Sequence, residues 1–153
     1  MNQWQAPNPG YRARVQDSFR RQPFMATLGI ELQTIDAGYC ELRLPYRQAL
    51  TQQHGYFHAG VLATLADNSA GYAAFSLMES DSSPLTVEFK INLVAPGQGD
   101  HLLAKARVVK NGRTLKICQA EVFSLRAEQE TLSGIAIVTL MELRDRADHP
   151  APG

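Results

Sequence analysis

The sequence predicts an α+β fold in which an antiparallel sheet of five to six strands wraps around one long central helix. Three observations lead there. Residues 58–78 hold a single acidic or basic residue besides the leading histidine, Asp67, while Val61, Leu62, Leu65, Ala66, Ala70, Ala73, Ala74 and Leu77 cover nearly every face of a helix drawn through them. A helix that is apolar all round is a buried helix. Short runs on both sides of it alternate apolar and polar residues, the period of half-buried strands. One helix cannot cover both faces of such a sheet, so the fold is expected to need a partner molecule to bury the remainder.

The elements follow in order. Residues 1–7 read as a frayed start. Asn8 is suited to cap a helix with Pro9 at its first position, and the segment to residue 21 places Tyr11, Val15 and Phe19 on one stripe. After Phe24, Met25 and Leu28, Gly29 stops any further helical turn. Two extended runs, residues 30–36 and 39–44, join at Ala37-Gly38. In the second, Cys40, Leu42 and Leu44 alternate with Glu41 and Arg43. A loop over residues 45–57 leads into the buried helix, which ends before the turn-rich Ser80-Asp81-Ser82-Ser83-Pro84. Residues 86–94 form a strand, with Val87, Phe89, Ile91 and Leu93 against Thr86, Glu88, Lys90 and Asn92. Residues 101–110 and 113–124 flank Asn111-Gly112, a strong hairpin signal, and residues 133–143 make the last strand. These four strands are expected to run as a meander, completed by the two early ones. By domain, residues 1–22 are an N-terminal segment with a short helix, 23–144 a single domain, and 145–153 a disordered tail.

The chain has 153 residues, 44% of them hydrophobic and 20% charged, with no net charge. That is enough apolar content for one core, and it leaves no global field to draw in nucleic acid or a membrane. Arg12, Arg14, Asp17 and Arg20 occupy the start, where a signal peptide needs an apolar run. Asp67, Asn68, Thr64 and Ser69 argue against a membrane span. Cys40 and Cys118 match no metal or redox spacing and are read as reduced core thiols of a cytoplasmic protein. His54 and His58 are four apart, but the intervening Gly55 and the lack of an evident third ligand point away from metal. No serine sits in a nucleophile elbow.

The chemistry is expected at the buried helix. Its start leaves backbone N–H groups without intrahelical partners and gathers partial positive charge. The small residues Ala59 and Gly60 let a ligand oxygen approach there, which makes an oxyanion hole possible. The alternative is a tight loop-to-helix turn served by Gly55 and Gly60. Asp67 is costly on a buried helix unless paired, hydrogen-bonded or functional. It lies nine positions after His58, about 180° round the helix and roughly 14 Å along it. One carbonyl cannot touch both groups of the same chain. If both serve one site, two molecules share it, with their helices antiparallel about a twofold axis. Burial raises the pKa of such a carboxyl, whereas hydrogen bonds to its charged form lower it.

Gly55-Tyr56-Phe57-His58-Ala59-Gly60, then Leu65-Ala66-Asp67, the strand Thr86-Val87-Glu88-Phe89-Lys90-Ile91-Asn92 with Pro96, and Asn111-Gly112-Arg113 form an ordered set. That set resembles the hotdog-fold thioesterases, in particular the phenylacetyl-CoA (PaaI-like) branch, over nearly the whole chain. The resemblance implies hydrolysis of an acyl-CoA or aryl-CoA thioester by a homodimer or a dimer of dimers, a homotetramer, with no cofactor beyond the CoA of the substrate. It implies Asp67 as base or nucleophile, the amide of Ala59 or Gly60 as the group polarising the carbonyl, and His58 as the residue fixing that turn. It also implies that Gln52 orients water or the carbonyl and that Thr86 supplies a hydroxyl near the attacking water. Two departures stand out. Ala59 occupies a position usually held by glycine, and Gln52 more often accompanies Glu than Asp. Thr86 lies opposite the apolar parity of its strand.

For the phosphates of CoA, the stretch from Leu85 to Ala120 offers Lys90, Lys105, Arg107, Lys110, Arg113 and Lys116 against Glu88 and Asp100. Arg113 beside Asn111-Gly112 is the preferred contact, with Lys90 and Lys110 on the same rim. Aromatic residues do not interleave with these charges as a nucleic-acid surface requires. Phe24, Met25, Tyr56, Phe57 and Tyr72 are candidates for an acyl or aryl pocket or for plain core. Two other readings stay open: a non-catalytic acyl-CoA-binding or ligand-sensing protein of the same fold, and a hydratase.

Overall fold

The computed structural model describes residues 4–150; parts of the expected frayed start and of the expected tail lie outside the described residues. Helix α1 (Tyr11–Arg20) is followed by α2 (Pro23–Leu28), which ends on Gly29 in the left-handed region at φ 76°. Asn8 does not cap α1. Its Oδ1 accepts from the Gly10 amide at 2.9 Å and closes a turn ahead of the helix, so Pro9 stays outside it. Strands β1 (Glu31–Asp36) and β2 (Tyr39–Pro45) form the expected hairpin at Ala37-Gly38, with Gly38 at φ 75°. A 3-10 turn (Gln48–Leu50) precedes α3 (Ala59–Phe75). Strands β3 (Ser83–Leu93), β4 (His101–Asn111), β5 (Leu115–Arg126) and β6 (Gln129–Leu143) complete the chain.

All strand pairs are antiparallel, in the order β1-β2-β4-β5-β6-β3. The expected four-strand meander is therefore wrong at β3, which pairs with β6 while β4 pairs with β2. The connection over residues 94–100 is too long to act as a tight turn, and only a tight turn obliges neighbouring strands to pair. This connection is instead held at the sheet end, where the Phe57 amide donates to the Gly97 carbonyl at 2.8 Å. The Asn111-Gly112 hairpin exists, but its turn runs one step later: Asn111 pairs with Lys116, and the Gly112 amide donates to the Leu115 carbonyl at 3.0 Å. Neither Asn111 nor Gly112 has the positive φ that a two-residue type I′ turn requires. Such a turn occurs at Ala127-Glu128 instead, with φ 46° and 68°, and starts β6 at Gln129 rather than at residue 133.

The core lies between α3 and the concave side of the sheet. Leu65, Ala66, Ala70 and Ala73 of the helix meet Leu42, Leu44, Ala104, Ala106, Cys118, Ala120, Val122 and Val138, all fully buried. The alanines of β4 and β5 let the helix axis sit close to the strands, where interiors pack at crystal-like density. Val15 of α1 and Met25 of α2 close one end of this same core. Among the described residues no helix is long and apolar enough to cross a membrane.

Helix α3 is not covered all round. Ala59 and Gly60 are exposed, and Ala63, Thr64, Asp67, Asn68 and Gly71 are half-buried, forming one open stripe along the axis. These residues are small or polar and recur at helical spacing, so a stripe of the helix surface faces away from the sheet. Beside it runs β3, an edge strand bonded only to β6. Leu85, Val87, Phe89 and Leu93 of β3 are about half exposed, an apolar edge without cover in the single chain.

Candidate active site

The loop before α3 is built tightly. Thr51 and Phe57 form an isolated bridge, the Gly55 amide donates to the Gln52 carbonyl at 3.0 Å, and the Gln52 amide to the Tyr56 carbonyl at 2.9 Å. Gly55 sits at φ 81°, a conformation a residue with a Cβ rarely adopts. Phe57 is buried and anchors the loop against Tyr46, their rings 5.4 Å apart and edge-to-face. His58 follows in extended conformation (φ −62°, ψ 141°) as the cap of α3, and its Nδ1 accepts from the Gly60 amide at 2.9 Å. A Cβ on residue 60 would stand 3.1 Å from that nitrogen, so glycine keeps the cap close.

The cap decides which amide is open to a ligand. The Gly60 N–H is committed to His58, and the Val61 and Leu62 amides point to the His58 carbonyl. The exposed Ala59 N–H has no acceptor among the described residues and stands at the positive end of the helix. Ala59 has no positive φ, so alanine is unstrained in this first helical turn. The Gln52 side chain turns into its own loop, where its Oε1 accepts from the His54 amide.

Asp67 is half-buried in a cleft of about 250 Å³ shared with Thr86, Asn68, Gln22, Tyr72 and Asp148. The Thr86 hydroxyl donates to Asp67 Oδ1 at 2.8 Å. Loss of hydration pushes the Asp67 carboxyl above its ordinary value, and the Thr86 hydrogen bond offsets part of that rise. Thr86 reaches the helix because it pairs with the buried Leu140, and a bulge between Thr86 and Glu88 then flips the strand. Phe89, paired with the buried Val138, returns to the helix side. The apparent conflict of parity in the sequence is the bulge itself.

One chain does not assemble the whole expected set. Asp67 and Thr86 meet, and His58, Ala59, Gly60 and Gln52 gather at the helix start. Ala59 and Asp67 stand eight positions apart on α3, roughly 12 Å of axial rise. Lys90 pairs with Ile137 on one side of the sheet and Lys110 pairs with Ile117, with β6 and β5 between the two lysines, about 14 Å across three strand spacings. Lys90, Lys110 and Arg113 are exposed, and Asn111 and Gly112 half-buried. Lys116 does not belong to this rim: it is buried and forms an ion pair with Glu142 at 2.8 Å. Of the pocket candidates, Met25, Phe57 and Tyr72 are buried, and Phe24 and Tyr56 are exposed.

Around Tyr72, a pocket candidate from the sequence, the cleft contains residues that the sequence did not single out for the site. Asn68 Nδ2 donates to Gln22 Oε1 at 3.1 Å, Gln22 Nε2 donates to the Tyr72 hydroxyl at 2.9 Å, and that hydroxyl lies 3.2 Å from Ser18 Oγ. Burial pushes the Tyr72 phenol up to about 12, so it stays protonated. Asn68 Oδ1 is buried and has no partner among the described residues. Gln22 and Asp148 lie far from Asp67 in sequence, with no local pattern to mark them.

Residues 54–130 match a family model described as "Thioesterase superfamily". A crystal structure of a thioesterase family protein from Silicibacter pomeroyi superposes with a TM-score of 0.87 at 48% identity, over 88% of this chain and 99% of that one. The PaaI protein of the E. coli phenylacetic acid degradation operon superposes at 0.78 and 20% identity, over 87% of this chain and 93% of that one, which is a likeness of fold. The 1,4-dihydroxy-2-naphthoyl-CoA hydrolase of Listeria monocytogenes is 26% identical over 63% of this chain and 78% of its own length.

Proposed function

Because the chain belongs to the thioesterase superfamily and has its hotdog fold, we propose that it hydrolyses acyl-CoA or aryl-CoA thioesters to the free acid and CoA at a site shared by two subunits. The observation that carries this reading is the division of the chemistry along α3. An open amide at Ala59 and a partly desolvated carboxyl at Asp67 lie on one helix, too far apart to grip one carbonyl. The helix stripe between them is uncovered, and the apolar edge of β3 runs beside it. A second copy laid antiparallel on that stripe brings its helix start to this Asp67, and reciprocally, giving two equivalent sites. It also covers β3. The Listeria relative, named as a CoA thioester hydrolase, supports the substrate class.

In this reading Asp67 acts as general base. Thr86 holds Oδ1, which leaves Oδ2 to take a proton from water. The water oxygen bonds to the thioester carbon, and the carbonyl oxygen becomes an oxyanion held by the Ala59 N–H of the partner subunit. When the C–S bond breaks, the CoA thiolate takes up the proton from the Asp67 carboxyl. His58 keeps the Ala59 turn in place through its bond to Gly60, and Gln52 orients the incoming carbonyl or water. Arg113, with Lys110 and the Asn111-Gly112 turn, meets the CoA phosphates, and Lys90, three strands away, stands apart from that group within one chain. The reaction needs neither metal nor resident cofactor.

The test is thiol release from a panel of acyl- and aryl-CoA thioesters. Asp67→Asn is expected to lower kcat by about 10²–10⁴-fold while the protein stays folded. Unchanged release by the folded variant ends the mechanism. Single turnover in heavy-oxygen water separates the base from direct attack, because label in the Asp67 carboxyl means the carboxylate itself was the nucleophile.

A further inference from the structure

By sequence Lys116 belongs with Lys110 and Arg113, yet its ammonium is buried beneath the turn that carries them. Its Nζ donates to Glu142 Oε2 at 2.8 Å and to the Gly112 carbonyl at 3.3 Å. Glu142 in turn holds three places together. Its Oε2 takes the Lys116 bond, its Oε1 accepts from the Glu79 amide beyond α3, and its own amide donates to the Thr114 carbonyl at 2.8 Å. The pair therefore grips the turn between β4 and β5 at two carbonyls, Gly112 and Thr114, one on either side of Arg113.

The turn itself is tight. A Cβ on residue 112 would stand 2.4 Å from the Leu115 carbonyl oxygen, the atom that the Gly112 amide bonds, so only glycine allows this approach. Arg113 and Lys110 are exposed and form no ion pair among the described residues. Lys105 and Arg107 of β4, by contrast, are committed to Glu130 and Gln119. Lys116 is also in register with the reactive carboxyl. It pairs with Leu140, which pairs on its other side with Thr86, the donor to Asp67. That row spans two strand spacings, about 10 Å, so paired backbone fixes the turn relative to Asp67.

A buried ion pair adds little stability over an apolar pair of similar volume. The presence of one under this turn points to geometry instead. Cations that are already ordered bind an anion more tightly, because no loop has to be ordered on binding.

We propose that Lys116 is a positioning residue for CoA: with Glu142 it holds the turn from Gly112 to Leu115 in the shape that presents Arg113 and Lys110 to the phosphates. This rests on the reading of that turn as the CoA contact of a thioesterase. Lys116 and Glu142 take no part in the reaction.

The test compares the wild type with the double variant Lys116→Met, Glu142→Gln, which removes the grip on Gly112 without leaving a buried charge alone, and with Arg113→Gln. All are checked for folding by circular dichroism. Thiol release is measured with one acyl group carried either by CoA or by pantetheine, which has the same thiol arm without the phosphates. Binding of free CoA is measured by calorimetry. In the double variant, KM for the CoA thioester is expected to rise on the order of 10-fold and CoA affinity to fall to match, with kcat and the pantetheine thioester unaffected. Arg113→Gln is expected to weaken CoA similarly. Unchanged CoA affinity in either folded variant overturns the proposal. So does a double variant that loses as much on the pantetheine thioester as on the CoA thioester, since a merely structural role damages both alike. Weakened CoA binding in both variants, without thiol release by any of the proteins, sustains the positioning role and removes the thioesterase reading. Thiol release by the wild type, with CoA binding untouched by the substitutions, does the reverse.

Discussion

In the proposed mechanism, Asp67 is the residue at which stability and activity pull apart. Burial raises its folded pKa above the ordinary 3.8, so the folded state holds its proton to higher pH than the unfolded chain does. Stability therefore falls as pH climbs from the ordinary value through the raised one and stays lowered above it. The ionised form is nevertheless the one a general base needs. Two outcomes follow. The acid limb of kcat/KM should titrate above the ordinary aspartate range. Asp67→Asn should melt higher than the wild type at neutral pH in a thermal scan, and an equal or lower Tm would contradict the burial cost. Thr86→Val should move the acid limb further up, because it removes the hydrogen bond that now offsets part of the rise. The buried thiols need no such argument: burial lifts the Cys118 thiol to about 12 and Cys40 higher still, which keeps both protonated and unreactive.

Among the elements, β5 and β6 share a buried ion pair, Lys116–Glu142. Glu142 also accepts from the Glu79 amide at 3.2 Å, tying the exit of α3 to the sheet. Burial alone would raise the Glu142 carboxyl; hydrogen bonds from Lys116, Ser82 and the Glu79 amide outweigh it and hold the group below its ordinary 4.5. Its contribution is thus complete above that value and is lost as pH falls from there through the depressed folded value. Lys116→Met leaves a buried charge unpaired and should cost about 3–5 kcal/mol in denaturant unfolding. Adding Glu142→Gln should restore most of that loss, since the amide oxygen still accepts from Glu79. The β5–β6 turn contrasts with this pair. Ala127 and Glu128 occupy left-handed backbone without glycine or asparagine, a local strain accepted because both flanking strands are long and well paired.

For the whole molecule, the open stripe of α3 lies beside the bare edge of β3, and the proposed shared site lays a second copy on both. Phe89, on the helix side of β3 and 45% exposed, lies in the middle of that edge. Phe89→Glu places a charge on both sides of the proposed twofold contact. If the site is shared as proposed, the wild type should sediment as a dimer or larger and the variant as a monomer, with thiol release lowered by at least about tenfold, because each site then loses the other subunit's amide. A folded monomer with full turnover would remove the shared site altogether.

The chain's local order was legible where neighbouring residues encode it. The apolar period marked α3 and its lone carboxylate, the alternation in β2 and β3 marked strands, and Gly29 and Gly38 marked their turns. Strand order was not legible, because the long connection over residues 94–100 places no constraint on which edge β3 joins. The type I′ turn at Ala127-Glu128 was missed for want of glycine or asparagine, and the bulge beyond Thr86 disguised the inward side of β3. In the wall of the Asp67 cleft, Tyr72 was a candidate from the sequence, but its company there, Gln22, Asn68 and Asp148, depended on tertiary structure. Periodicity reports which side of a segment avoids water, and that is a property of adjacent residues. Pairing, register and the meeting of Lys116 with Glu142 join residues far apart in sequence, and only the folded chain selects them.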